Sequence, residues 1–365
     1  MAFSERIAVW TTAVELPGDV TGAVGDSVTV IPVVVALAAL SDVALAPVLV
    51  WFGVAQVVWG LQYGVPVSVE PMKALAALAI AGSLSASGLA ATGLLVGAVL
   101  LVAGAAGALS RIDHLLSQSV VRGVQLAVAL VLLETALGLG AQNLVLAGVA
   151  LLVGAGVAVV SLRASALAVV GVGAVIALVE TGGVSPTVPA LSLTLPTTAV
   201  VLDYATIQAS VGQLAMSVGN AAVATALLLD EYFDADASAD DLAASMGVTN
   251  LLAVPFGAIP MCHGSGGVAG KYAFGARTAA ANVVLGAGYV LAAVFAVGVV
   301  AAFPMAMLGV VLAAVAVQLA HTSLDTDSYA LTVGVGVLGL LVGVGVAFVA
   351  GVLVDLGQRR WADAP

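Results

Sequence analysis

PFGAIPMCHGSGGVAGK, residues 255–271, and YGVPVSVEPMK, residues 63–73, decide the fold of this chain. Each is an apolar stretch broken by two prolines, the first also by five glycines, and each runs on into smoothly apolar sequence, ALAALAIA in the case of residues 74–81. Proline removes a helical hydrogen bond and clashes with the preceding turn, so neither stretch is an uninterrupted helix. Irregular backbone at membrane depth is tolerated only where protein buries it or water reaches it, and a pair of such interruptions points to a binding site.

The rest of the chain places both stretches in a membrane. Of 365 residues, 62% are hydrophobic and 8% charged, against roughly 25% charged in soluble domains. At about 20 residues per span the chain has room for roughly 12 to 14 crossings. Apolar runs fall at 18–40, 44–61, 71–84, 88–109, 119–139, 143–161, 165–181, 212–229, 242–255, 263–273, 278–300, 303–320, 328–341 and 342–356. Several are too short to cross a hydrocarbon layer of about 30 Å alone. The expected fold is therefore an all-α polytopic membrane protein. Glycine is 42 of 365 residues, which suits close helix packing in lipid.

Composition also excludes. A single cysteine, Cys262, and three histidines leave no disulfide within the chain, no cysteine-rich zinc site and no other metal site. A net charge of −11 argues against nucleic acid as a partner. No phosphate loop, HExxH or GxSxG motif occurs, so no catalytic residue, enzyme activity or cofactor is expected. The acidic run Asp230–Asp241 reads as a solvated loop, and the first 16 residues are too short in apolar content for a cleaved signal.

A shift of 194 residues lays Gly25-Asp26 on Gly219-Asn220, Pro66 on Pro260 and Glu70-Pro71 on Gly264-Ser265. The offset suggests two repeats, about 17–182 and 211–356, each with a broken third segment. Seven spans per repeat, an odd number, would invert the second copy relative to the first. Arg6, Arg111, Arg122, Arg163, Arg277, Arg359 and Arg360 then fall on one side, while the 183–198 loop has no Lys or Arg. The positive-inside rule makes that side cytoplasmic, with both termini, in a multi-pass protein of the cell membrane.

Charges within spans cost roughly 2.5–3.5 kcal/mol each, so each calls for a partner or a task. Asp26, Glu70, Lys73 and Lys271 are the pressing cases; Glu134, Glu180 and Asp203 lie close enough to helix ends to be solvated. Glu70 and Lys73, three residues apart, either neutralise each other or leave a helix N-terminus facing an anion while Glu70 takes and releases a proton. Gly264, Ser265, Gly266 and Gly267 offer unshielded amides at the second helix start, with His263 beside them as packed residue or ligand. Gln213, Asn220 and Thr29 are further neutral donors or interhelical hydrogen-bond partners.

These stretches resemble the MOT1-type molybdate transporters, a branch related to the sulfate permease (SulP) anion transporters. The residues that carry the resemblance are GDSVTVIP at Gly25–Pro32, PVSVEPMKALAALAI at Pro66–Ile80, SVVRGVQLAVAL at Ser119–Leu130, GQLAMSVGNAAVATA at Gly212–Ala226 and PFGAIPMCHGSGGVAGKYAFGART at Pro255–Thr278. The resemblance implies the sulfate permease and uracil permease fold, 14 segments in two inverted repeats of seven, with the third and tenth segments each a strand leading into a half helix. It implies repeats over 1–183 and 211–365 joined by a connector at 184–210, and a core of segments 1–4 and 8–11 against a gate of segments 5–7 and 12–14. Carried over by position, the anion would touch Asp26, Thr29, Glu70, Met72, Lys73, Gln213, Asn220, His263, Gly264, Ser265 and Gly266. Glu70 and Asp26 would be proton-coupling candidates, and Arg122 and Gln125 would stand on the gate side.

The function expected is secondary active transport of a tetrahedral oxyanion by alternating access, molybdate first and tungstate or sulfate next, with protons as the coupling partner. Alternatives are a nucleobase permease of the same fold and an anion-sensing membrane protein that does not transport. A homodimer is the oligomer the resemblance admits. The family commonly reads Gln-Pro-Met-Lys where this chain has Glu70-Pro71-Met72-Lys73. An ionised Glu70 would repel a dianion unless protonated, paired with Lys73 or turned away.

Overall fold

The computed structural model describes residues 16–112 and 117–362. Arg6 lies outside them.

The first half begins with α1 (Leu16–Leu40) and α2 (Leu45–Tyr63). It continues through the two-residue strand β1 (Glu70–Pro71) into the half helix α3 (Lys73–Ile80), then α4 (Ala86–Ala105) and a single turn, α5 (Leu109–Ile112). Next come α6 (Gln118–Gly140), α7 (Leu144–Ala158) and α8 (Leu162–Thr181). After a connector holding the turn α9 (Thr198–Val201), the second half repeats the pattern. Its long helix α10 (Tyr204–Phe233) widens into a π turn at Ser217–Val223 and is followed by α11 (Ala239–Ala253). Strand β2 (Met261–Cys262) leads into the half helix α12 (Ser265–Ala273), and α13 (Ala280–Phe295), α14 (Val297–Ala301), α15 (Met305–Ser323), α16 (Tyr329–Val342) and α17 (Val344–Ala362) complete the chain.

The sequence sets these boundaries through ordinary caps. Ser85, Asn143, Ser161, Asp203, Ser238 and Ser328 each accept a hydrogen bond from a backbone N–H in the first turn of the helix that follows. Pro32 cannot donate to the carbonyl four residues earlier, and α1 bends there by 41° between Pro17–Ser27 and Val30–Leu40. Each expected apolar run falls on one of these elements. Among the described residues, six helices are long and apolar enough to cross a membrane, or seven with the bent α1.

The two broken segments meet. β1 and β2 pair antiparallel, Glu70 opposite Cys262 and Pro71 opposite Met261. The two strand–helix units thus run in opposite directions, as an inverted pair of repeats requires. The offset of 194 residues needs correcting here: Met261 follows Glu70 by 191 positions and Ser265 follows Lys73 by 192. β2 starts immediately after Pro260, whereas β1 starts four residues after Pro66, so matching the two prolines misplaces the strands.

Small residues bring the helices together. Gly18, Gly22 and Gly25 form a stripe on α1, and a Cβ on them would run into the Gly275 carbonyl, Ala276 and the Gly270 carbonyl. That contact seats α1 on α12 and carries Asp26, one residue beyond the stripe, toward Lys271. On the neighbouring pair, Gly104 of α4 and Gly247 of α11 sit against the facing backbone in the same way.

The stripe gives a direct test. Gly22→Ala should lower stability in detergent by about 1–3 kcal/mol, because the added methyl has no room. Gly148→Ala, on α7 where nothing lies within 4 Å, should be neutral or stabilising. Equal unfolding midpoints for the two variants would contradict the packing.

Candidate functional site

The site is built on the backbone of the broken segments. The residues preceding the half helices, Met72 and Gly264, are both extended, so the free N–H groups of α3 and α12 start at the strand pair. Met72 N–H donates to the Pro260 carbonyl at 2.9 Å. Asn250 of α11 clamps β2 from the other side: its Oδ1 accepts from Met261 N–H at 2.8 Å, and its Nδ2 donates to the Met261 carbonyl at 2.7 Å. Asn250 is fully buried, so one side chain supplies what water would otherwise supply.

Four charged side chains gather around this bridge in two ion pairs. Lys73 Nζ lies 2.6 Å from Glu70 Oε2, with Glu70 buried and Lys73 16% exposed. Gly264 and Gly267 make room for the Glu70 carboxylate at the head of α12, since a Cβ on either would collide with it. A carboxylate therefore already occupies the amide-rich start of the second half helix, where negative charge is favoured. Behind it, Lys271 Nζ lies 3.2 Å from Asp26 Oδ2, both side chains wholly buried. Ser68 joins the pairs, donating to Asp26 Oδ1 at 2.6 Å and lying 3.5 Å from Glu70 Oε1.

The remaining expected residues fall in three groups. Met72 is buried beside the bridge. Ser265 Oγ donates to Asn220 Oδ1 at 3.0 Å, and next to it Gly266 is exposed, with nothing within 4 Å of a Cβ built there. Lys73, Asn220, Ser265 and Gly266 thus border open space, while Asp26 and Lys271 lie behind them. Gln213 is buried on α10, its Nε2 on Ser217 Oγ at 3.0 Å and its Oε1 without a partner.

His263 is taken up on both ring nitrogens. Nδ1 lies 2.9 Å from the Ser68 carbonyl, which can only accept, so Nδ1 carries a proton; Nε2 lies 2.7 Å from Ser245 Oγ. Its ring stands edge-on to Trp59 and Tyr63. The side chain of Thr29 lies outside the described residues. Arg122 and Gln125 sit apart on α6, where Arg122 bonds Gln125 Oε1 at 3.2 Å and the backbone and carboxylate of Asp325.

The sequence reading named Lys271 as a charge in need of a partner without finding one. Gln56, Ser68, Ser245, Asn250 and Asn282, none of them among the expected site residues, are all buried here. The signal was present: Gln56 is a lone amide in the apolar run 45–61, and polar side chains in spans serve to join helices. Two grooves, about 670 Å³ between α7, α8 and α15 and about 390 Å³ beside the connector, lie away from these charges.

The chain matches the family model described as "Molybdate transporter of MFS superfamily" over two stretches of equal length, residues 18–132 and 205–319. It is 32% identical to Molybdate transporter 2 of Arabidopsis thaliana, over 86% of this chain and 80% of that protein. Molybdate transporter 1 of the same plant is 30% identical, over 85% and 80%. Among solved structures, the transmembrane domain of the cyanobacterial bicarbonate transporter BicA superposes with a TM-score of 0.67 at 18% identity, covering 92% of this chain and 97% of that one. Murine Slc26a9, an anion transporter in the inward-facing state, gives 0.74 at 12% identity, covering 98% and 71%. At such identities the structures establish the shared fold.

Asn250 offers the sharpest local test. Asn250→Ala strands the Met261 N–H and carbonyl and should cost about 2–4 kcal/mol in thermal unfolding. Asn250→Asp keeps an acceptor and loses the donor, so its loss should be intermediate. A neutral Asn250→Ala would mean that β2 is held by something else.

Proposed function

The chain belongs to the molybdate transporter family whose model it matches, and from that premise we propose that it carries molybdate by secondary active transport with protons. It is a multi-pass membrane anion transporter and not an enzyme. The observation that supports the reading best is the Glu70–Cys262 bridge, which aims two half-helix N-termini into the middle of a helical bundle. The oxyanion would rest between Lys73 and the Ser265–Gly266 turn, with Asn220 and Gln213 as neutral walls. Lys73, Asn220 and the Ser265–Gly266 turn border open space at the start of α12, while Gln213 is buried.

Glu70 links anion and proton. While it is ionised it holds the charge of Lys73 and repels a dianion. When it takes a proton, Lys73 is released to the anion and the repulsion ends, so proton and anion load together. Asp26 fits this role less well, because Lys271, Gln56 and Ser68 already engage its carboxylate. His263 holds β1 against α11 through Ser68 and Ser245, which makes it a positioning residue.

Helix packing supports a division into two bodies. α4 packs on α11, α2 on α13 and α1 on α12; separately, α6 packs on α15 and α16, α7 on α8, and α16 on α17. The first set would carry the anion as a core of segments 1–4 and 8–11. The second would be a gate of segments 5–7 and 12–14, with Arg122 and Gln125 on its α6. Sliding of core against gate exposes the site to alternate sides. Fourteen segments in two inverted sevens, cytoplasmic termini in the cell membrane and a homodimer complete the reading.

Uptake of labelled molybdate into proteoliposomes tests it, with sulfate, tungstate and uracil as competitors. Molybdate should be taken up faster at acidic external pH, competed by tungstate before sulfate and not by uracil. Glu70→Gln should keep binding and lose the pH dependence. Lys73→Ala should cut uptake about tenfold or more, as expected for losing a charge-assisted contact worth about 1.5–3 kcal/mol. Uracil competition, or unchanged pH dependence in Glu70→Gln, would reject the substrate and the proton role respectively.

A further inference from the structure

Lys271 is wholly buried, and its ammonium is held in an unusual way. Nζ donates to the Val67 carbonyl at 2.6 Å, Gln56 Oε1 at 2.9 Å and Asn282 Oδ1 at 3.0 Å, with Asp26 Oδ2 at 3.2 Å. One carboxylate and three neutral oxygens thus surround the nitrogen, from α1, α2, the segment before β1 and α13. Three N–H groups therefore face four oxygens, so every donor of the buried ammonium is met and the polar cage around it is complete.

The two amides cannot turn round. Gln56 Nε2 is committed to Asp26 Oδ2 at 2.7 Å and the Val69 carbonyl at 3.1 Å, both acceptors only. Asn282 Nδ2 is committed to the carbonyls of Gln56 and Val67 at 2.9 and 2.7 Å. Each amide therefore turns its oxygen to Nζ because its N–H groups are taken by acceptors, among them Asp26 Oδ2, Gln56 Oε1 and the Val67 carbonyl of the shell itself, which ties the four oxygens to one another. The shell is preorganised for a single positive charge of ammonium size, and its formal charge of −1 is balanced by one monovalent cation.

We propose that this four-oxygen shell is a monovalent-cation site whose cation is the protein's own: Lys271 delivers a tethered ammonium where another transporter would bind an ion from solution. Transport then needs no sodium or potassium. The tether also fixes the far end of α12 to α1, α2 and α13, leaving its N-terminal turn free to face the anion.

The test shortens the tether and supplies a free cation. Lys271→Ala, purified in choline, should unfold at a lower temperature than the original chain. Ammonium chloride or methylammonium chloride should raise its midpoint with a saturating concentration dependence, as binding to the folded state requires. The original chain, and Asp26→Asn/Lys271→Ala, which lacks the anionic ligand, should not respond. In proteoliposomes Lys271→Ala should take up molybdate at least about tenfold more slowly in choline, consistent with an uncompensated buried charge, and recover in ammonium. The original chain should work equally well in choline, sodium and potassium.

The uptake arm rests on the transport reading and the thermal arm does not, so a wrong substrate would silence the first and leave the second. Three results would overturn the proposal. One is a Lys271→Ala midpoint indifferent to ammonium, methylammonium and potassium. Another is an original chain that requires sodium or potassium. The last is a Lys271→Ala chain that folds in none of these media while Asp26→Asn/Lys271→Ala folds, since the shell would then accept no free cation.

Discussion

A backbone broken at membrane depth has no water to complete its hydrogen bonds, and every other feature of the site follows from how that debt is settled. The two broken segments settle it with each other. Met72 N–H reaches the Pro260 carbonyl, β1 pairs with β2, and Asn250 takes both polar groups of Met261. Each unmet group would cost several kcal/mol in hydrocarbon, so either segment without its partner would be untenable. The same pairing fixes where the half helices begin. Two sets of free N–H groups are thereby forced to one place, and a site for negative charge is a by-product of satisfying the backbone.

The charged residues around the bridge grade from buried to accessible. Asp26 and Lys271 are both wholly enclosed, whereas Lys73 keeps 16% of its surface. Burying an ion pair tends to cost more in lost hydration than the attraction returns, unless further hydrogen bonds complete both partners. Asp26 and Lys271 have them, from Gln56, Ser68, Asn282 and Val67. Glu70 is buried beside Lys73, and Lys73 sits where open space begins. The inner pair is thus suited to hold helices together, and the outer pair to exchange partners.

The sequence made the architecture legible because the fold-determining features are local. Proline and glycine mark both interruptions, and the glycine content of the apolar runs announces close helix packing. Partners were harder to read, because they are distant in the chain. Gln56 and Lys271 are 215 positions apart, Ser68 and His263 195, and no local spacing rule joins them. The repeat offset failed for a related reason. Pro66 and Pro260 look equivalent in one dimension, but backbone pairing, which fixes the true register, is set by hydrogen bonds between the halves. Glu70 was recognised as a problem for a dianion, and its resting place over Gly264 and Gly267 became visible only once the halves were joined.

That resting place bears on the choice between a glutamate and a glutamine at position 70. A glutamine at position 70 would bring an amide that can donate to an oxyanion in every protonation state, leaving Lys73 unpaired and available. A glutamate in the same hollow donates only when protonated, and otherwise both consumes the charge of Lys73 and occupies the start of α12. The glycines at 264 and 267 admit the carboxylate at the start of α12, so under the proposed function the ionised side chain would compete with the anion for the same donors. On the proposed transport reading, a glutamate at position 70 would make anion loading conditional on a proton: the carboxylate would be a tethered competitor, displaced by protonation.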